Sequence, residues 1–523
     1  MIILNITEKP SVAQIKQIDN CELIFTSLSG HLLKFDFQLQ TASWFHINPY
    51  TLFYTKTIKT VISDHINIFK NLLCLLSIAS RLYIWTDADN EGENIAYNIS
   101  EIANFINSNL IIKRIRFNVI QEKYLISGLN NLSTINKRVA YSIDVQHRLD
   151  LIVGSTFTRA LTLFFINQLK NKNLVSYGPC QYPTLGFISR RFTRILNFDQ
   201  DILKFQHHGA KSKIFDLLLA IDLSKKLIKS KNCRLTKVQK TETTHKKPIP
   251  LDTTTLCANI NKIYKIPSSE TMKIAEKLYI QSLISYPRTD TQVFRENGII
   301  LESLEAFKQD NNYQTIINKI ITKKSFLSIN NGVKNDLAHL PIYPVKPATN
   351  LSKTEFLIFN YIIIYFLAVC DEDAILQSNY YEITLNNEIF YHSNKNIKFK
   401  GFLDFFPFDS LSQSETNFSK VDLNKNDLVS PTKYILTASV TSRPSLMSEY
   451  ELIYEMEKFS IGTDATMYDH IATVQKRSFM KLVNKNCFIP TKYEYIADIK
   501  SNTPLHTPAI TINVDDILDE HST

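Results

Sequence analysis

Tyr286, Pro287 and Arg288 set a phenol and a guanidinium two residues apart, and Asp87, Asp89 and Glu91 set three carboxylates at alternating positions. A phenol has a pKa near 10 and is a weak nucleophile until a base or a positive charge activates it. A guanidinium offers a planar fork of donors that suits the crowded oxygens of a phosphoryl-transfer transition state. Together Tyr286 and Arg288 therefore point to attack on a phosphodiester. The plain alternative is a Tyr-Pro turn with a surface arginine. Three convergent carboxylates repel one another unless a cation sits among them, and a hard divalent ion, Mg²⁺ for preference, is the natural occupant. Their plain alternative is a solvated acidic loop at a helix N-terminus.

The elements that must position these groups are legible. Ile2-Ile3-Leu4-Asn5-Ile6 reads as a short buried strand, and it delivers Glu8 and Lys9 at its carboxyl end, ahead of Pro10. Arg81 to Thr86 reads as a second strand that delivers the acids, followed by a helix from Asn94 to Ile106. Ligand sites collect at the carboxyl ends of strands in open α/β sheets. While the chain stays extended, Asp87, Asp89 and Glu91 share one side. Further on, Glu270 to Gln281 has helical spacing, with Met272, Ala275, Leu278 and Tyr279 on one face. Pro287 is expected to break that helix and hold Tyr286 out of the αR region.

The rest of the composition mainly excludes. A chain of 523 residues is too long for one core. Its net charge of +9 favours a polyanionic partner. The seven cysteines include no C-x-x-C pair, so neither a zinc ribbon nor a secreted disulfide framework is expected. The eleven glycines lack the spacing of a P-loop or a dinucleotide fingerprint, so no ATP of that kind is expected. No signal peptide is expected ahead of Glu8 and Lys9. The apolar run Phe356 to Cys370 is shorter than a membrane span and contains Asn360, which predicts a buried helix and no membrane.

A strand ending in Glu, followed by a strand ending in D-x-D, resembles the Toprim fold. The stretch A-E-K-L-Y-I-Q-S-L-I-S-Y-P-R-T-D-T around Tyr286 resembles the active-site segment of type IA DNA topoisomerases, topoisomerase III subfamily, of eukaryotic type. Further segments resemble that family in order: Ser29-Gly30-His31-Leu32, Ile143 to Arg159, Ser176 to Phe187, Ala338 to Pro344, Phe402 to Asp409 and Met456 to Arg477. The departures are Asn90 where the family has Arg, Tyr343 where it has His and Val345 where it has Thr.

The resemblance implies a multidomain α/β and α+β fold: an N-terminal Toprim (Rossmann-like) domain plus a toroidal type IA topoisomerase core with a β-rich hinge and helical domains. The Toprim domain is expected over 1–125 and a helical DNA-holding domain over 140–200 and 436–510. The hinge is expected over 200–265 and 366–435, the lid carrying the tyrosine over 265–365, and a short acidic tail over 511–523. It implies that Tyr286 attacks a backbone phosphate to give a 5′-phosphotyrosine. Glu8 would protonate the leaving 3′ oxygen, and Lys9 and Arg288 would stabilise the phosphate. Asp87 and Asp89, with Glu8 or Glu91, would hold Mg²⁺. His339 resembles a position that contacts the scissile phosphate, and Arg159, Gln181, Lys346, Lys476 and Arg477 are candidates for backbone contacts or, equally, solvated charges. Single-stranded or negatively supercoiled DNA is the implied substrate. A RecQ-type helicase and an OB-fold accessory protein are the implied partners. A nuclear location is favoured, with a cytoplasmic one as the alternative. Two rival readings stay open: a DNA-binding scaffold weakened by the three departures, and a Toprim nuclease.

Overall fold

The computed structural model describes residues 2–8, 22–38, 47–166, 174–198, 203–207, 214–229, 233–336, 339–385, 388–412, 424–431, 433–440, 442–463, 466–484, 486–491 and 510–513. Lys9 and the tail at 514–523 lie outside them.

The N-terminal sheet has four parallel strands: β1 (Ile2–Thr7), β2 (Glu22–Ser27), β3 (Arg81–Trp85) and β4 (Ile111–Arg114), in the order β2-β1-β3-β4. Parallel sheets have both faces covered, which is why β1 and β3 read as nearly unbroken apolar runs. The register pairs Thr7 with Trp85, so the residues after β1 and after β3 emerge side by side at one edge. Helix α1 (Asn90–Ile106) follows β3 at once. It packs against the 29-residue helix α2 (Lys137–Phe165), where Asn94 donates to Asp144 Oδ1 and to the Ala140 carbonyl, each at 2.8 Å.

A four-stranded antiparallel sheet is built from β5 (Cys233–His245), β6 (Ala374–Leu385), β7 (Glu388–Phe399) and the short strand Leu428–Val429, with β6 between β5 and β7 and the short strand on the other side of β5. Two more helices matter here. Helix α3 (Ser268–Ile280) precedes the tyrosine, and its buried face holds Met272, Ala275, Leu278 and Tyr279 as the spacing predicts. Helix α4 (Lys353–Cys370) opens on a Ser352/Glu355 capping box and contains the apolar run expected to be buried. It is long and apolar enough to cross a membrane, yet 67% of that stretch is buried inside the protein. Helices Gln181–Leu196, Glu449–Lys458 and Met467–Lys476 share a separate core with Phe187, Ile188, Met456 and Ile471.

The largest core is continuous from Tyr83, Trp85, Ile115 and Phe117 of the N-terminal unit to Tyr279, Ile284, Tyr286 and the inner face of α4. Apolar burial is non-directional and follows area, so this shared core holds the tyrosine segment against the N-terminal sheet.

Candidate active site

Glu8 and Asp87 leave the carboxyl edge of the sheet together. The Glu8 N–H donates to the Trp85 carbonyl at 3.2 Å, and the Asp87 N–H donates to Glu8 Oε2 at 3.2 Å. Asp89 is the N-cap of α1, with Oδ1 accepting from the Gly92 N–H at 2.6 Å. Gly92 is required by close approach: a Cβ there would stand 2.1 Å from the Asp87 carbonyl oxygen. Beneath the loop lies Arg114, fully buried. It donates to the Thr86 carbonyl at 2.8 Å and the Asp87 carbonyl at 2.6 Å, and pairs with buried Glu93 at 3.5 Å. A buried guanidinium thus fixes the main chain that presents the acids.

Helix α3 ends at Ile280, before Pro287 is reached. Ser282 adopts φ +60, and the Leu283 N–H turns back to the Leu278 carbonyl at 2.9 Å, a Schellman-type ending. The expected helix break at Pro287 is therefore corrected: a left-handed residue, not the proline, stops the helix. The chain then docks on the N-terminal unit, where the Tyr286 N–H donates to the Asn118 carbonyl at 3.1 Å. The Tyr286 hydroxyl donates to Asp89 Oδ2 at 2.6 Å, joining residues far apart in sequence. Its ring stacks on His339, with centroids 5.2 Å apart, and meets Tyr279 edge-on at 5.3 Å. The phenol is 5% exposed. Burial, then the charges of Asp89 and Asp87, push its pKa well above the usual phenol value, against the pull of Arg288. Burial and the same acids, with Glu8, act alike on Tyr279.

His339 is held by Asp336: Nδ1 lies 2.6 Å from Oδ2, and the His339 N–H donates to Oδ1 at 2.8 Å. Burial opposes the Asp336 charge, but the hydrogen bonds from His339 and Thr291 hold it well below the usual carboxylate range. His339 Nε2 is buried with no hydrogen-bond partner among the described residues, in the ring that stacks on Tyr286.

These positions lie in regions that known proteins share. A Toprim domain family model matches residues 3–120, and a DNA topoisomerase family model matches residues 134–520. The chain belongs to the type IA DNA topoisomerase family. DNA topoisomerase 3-alpha of Homo sapiens is 32% identical over 90% of this chain and 48% of its own length. DNA topoisomerase 3 of Dictyostelium discoideum is 29% identical over 94% of this chain and 67% of its own. DNA topoisomerase 3 of Schizosaccharomyces pombe is 29% identical over 88% and 76%. The chain spans about half the length of the human relative. Among solved structures, full-length topoisomerase I from Thermotoga maritima has a TM-score of 0.71, at 19% identity over 93% of this chain and 80% of that one. The fold is accordingly a Toprim domain plus a type IA topoisomerase core.

Within this topoisomerase fold the expected site residues divide. Glu8, Asp87, Asp89, Tyr286 and His339 come together. Glu8 accepts from the Asp87 N–H and Asp89 from the Tyr286 hydroxyl, so three oxygen-donor side chains line this edge. That set suits Mg²⁺, the ion Toprim domains generally bind. Glu91 does not join them, which corrects the reading of three acids on one side. The extended chain ends at Asp89, α1 begins at Asn90, and Glu91 turns to His31 at 3.0 Å and His147 at 3.5 Å. Arg288 is near Tyr286 but bonded to Glu276 at 2.8 Å, with its guanidinium 5.8 Å over Tyr468. Gln181 and Arg477 are hydrogen-bonded to each other. Lys346 and Lys476 are exposed and Arg159 is half-buried; the geometry links none of them to Tyr286.

The three departures do not disturb the cluster. Asn90 is exposed on the first turn of α1. Tyr343 is buried between Phe294 and Phe366, and its main chain pairs with Ser285. Val345 uses its N–H on the Leu283 carbonyl at 2.8 Å. Sequence reasoning missed Arg114, Gly92 and Asp336. For Gly92 the signal was present, a glycine opening a helix behind an acidic loop; for Arg114 nothing local marks a buried charge.

Proposed function

We propose that the chain is an ATP-independent DNA topoisomerase of the topoisomerase III kind, which cuts one strand through Tyr286, passes DNA and reseals. The observation that carries this is the 2.6 Å hydrogen bond from the Tyr286 hydroxyl to Asp89, a nucleophile set directly on the acids of the Toprim sheet edge. The Tyr286 oxygen attacks phosphorus, the bond to the 3′ oxygen breaks, and the protein remains on the 5′ phosphate. Glu8 supplies the proton to the leaving 3′ oxygen. Asp89 is the first acceptor on the path of the phenol proton; burial and the charges of Asp89 and Asp87 hold that proton on the oxygen, and Arg288 pulls the other way. Lys9, Arg288 and the free Nε2 of His339 serve the phosphate oxygens, with Arg288 exchanging Glu276 for the substrate. Because the phosphotyrosine conserves the bond free energy, resealing by the 3′ hydroxyl needs no ATP.

Glu8, Asp87 and Asp89 are the residues to hold Mg²⁺, which would supply charge neutralisation and alignment of the two broken ends. The nucleophile is covered in this closed form, so single-stranded or underwound DNA has to part the Tyr286 segment from the Toprim edge before it is cut. A RecQ-type helicase and an OB-fold protein are the partners, and the nucleus the location, that the resemblance to topoisomerase III implies.

The test is relaxation of negatively supercoiled DNA. Tyr286→Phe should abolish relaxation and leave single-strand binding largely intact, and removal of Mg²⁺ should stop relaxation by the unaltered protein. Relaxation by the Phe variant would show that another group is the nucleophile.

A further inference from the structure

A second set of ligating side chains converges where Glu91 leaves the acidic loop. His31 follows a turn in which Ser29 and Gly30 have φ values of +60 and +97. Glu91 stands in the first turn of α1, and His147 comes from α2. His31 Nε2 lies 3.0 Å from Glu91 Oε2, and His147 Nε2 lies 3.5 Å from Glu91 Oε1. One ligand atom from each of the three lies within 4.8 Å of those from the others. Ligand atoms around a tetrahedral ion with bonds of about 2.0–2.1 Å stand about 3.4 Å apart. The two imidazoles approach different oxygens of the Glu91 carboxylate, and the ligand atoms, within 4.8 Å of one another, draw together to reach that spacing around an ion.

We propose that His31, Glu91 and His147 form a site for a transition-metal dication of the zinc class, with water in the fourth position. Two imidazoles and one carboxylate select such ions over Mg²⁺, which prefers oxygen and octahedral surroundings. The site is reachable, because the three side chains are 28%, 40% and 36% exposed. It is also held before any ion arrives. Lys59 bonds Asp144, one turn ahead of His147, at 2.6 Å, and Asn94 bonds the same carboxylate at 2.8 Å, which fixes α1 against α2. The His65 ring holds the His31 main-chain carbonyl at 2.9 Å. An ion here ties the Toprim domain to α2 and uses no cysteine. The proposal is independent of the cleavage chemistry.

The experiment is titration of the chelator-stripped full chain with Zn²⁺ in excess Mg²⁺, followed by calorimetry and thermal melting, with Co²⁺ as a spectroscopic substitute. The expected result is one Zn²⁺ per chain. Affinity should fall about 100-fold or more in both His147→Gln and Glu91→Gln, since even outer-shell partners of a metal are worth 10–100-fold. Zn²⁺ should raise the melting midpoint of the unaltered chain and of Tyr286→Phe, but not of His147→Gln, and Co²⁺ should give visible bands without a thiolate charge-transfer band. No Zn²⁺ uptake, equal affinity in the unaltered chain and both variants, or a thiolate band would overturn the proposal.

Discussion

Asp89 and Glu91 are separated by one residue and belong to different chemistries. Asp89 ends the extended stretch after β3, caps α1 and accepts a hydrogen bond from a buried phenol at 2.6 Å. Glu91 sits in the first turn of the helix, half exposed, between two imidazoles. The difference comes from where the helix starts. Alternation puts i, i+2 and i+4 on one side only while the chain is a strand, and one helical turn rotates the third acid away. A D-x-D-x-E motif at a strand-to-helix junction is therefore two sites unless the geometry is known.

The widest separation between the two acids should appear in activity. Asp89→Asn should lower relaxation by about 100-fold or more, the scale on which one preorganised electrostatic contact acts. Glu91→Gln should lower it by less than about tenfold, equivalent to roughly 1.4 kcal/mol. Comparable losses in steady-state relaxation assays would erase the distinction. The support beneath Asp87 and Asp89 should come next. Arg114→Leu takes from buried Glu93 one of two guanidinium partners, Arg116 at 3.2 Å being the other, and strips the Thr86 and Asp87 carbonyls of their donor, so chemical denaturation should show a loss of about 3 kcal/mol. A loss below 1 kcal/mol would mean that the buried pair does not hold the loop.

A smaller effect is expected at the helix start. Gly92→Ala drives a Cβ into the Asp87 carbonyl, and overpacking of this sort costs about 1–3 kcal/mol; the melting midpoint measures it. The smallest effect concerns Glu91. Its hydrogen bond raises the His147 pKa above the ordinary 6.5, against partial burial. A raised pKa stabilises the fold fully below pH 6.5 and loses that contribution as pH rises through the higher folded value. Metal-free protein should therefore gain a slight, salt-sensitive increase in melting midpoint on acidification through neutrality, and His147→Gln should lack it.

Much of this was legible in the sequence. The strand before Glu8, the strand before Asp87 and the buried face of α3 follow from apolar patterning, and the Tyr286 segment carried the family resemblance. What was not legible depended on residues meeting across the fold. The stop at Ser282 needs a left-handed serine, which a β-turn vocabulary of Gly and Pro does not flag. Arg114 reads as a surface charge at the end of a strand until its carbonyl partners are seen. The resemblance singles out His339 but not Asp336, which orients it through hydrogen bonds to its ring and main chain that no motif flags. His147 stands on a helix with no apparent role until Glu91 turns toward it.

The central claim is that Tyr286 becomes covalently joined to DNA. A single-stranded oligonucleotide is labelled at its 3′ end in one sample and at its 5′ end in another. It is incubated with the full chain and Mg²⁺, and the reaction is stopped with denaturant. The account predicts that the 3′ label travels with the protein, that the 5′ label is released on a shorter free strand, and that Tyr286→Phe gives neither. Label bound to the Phe variant, or free cleavage products with no protein attached, would contradict it.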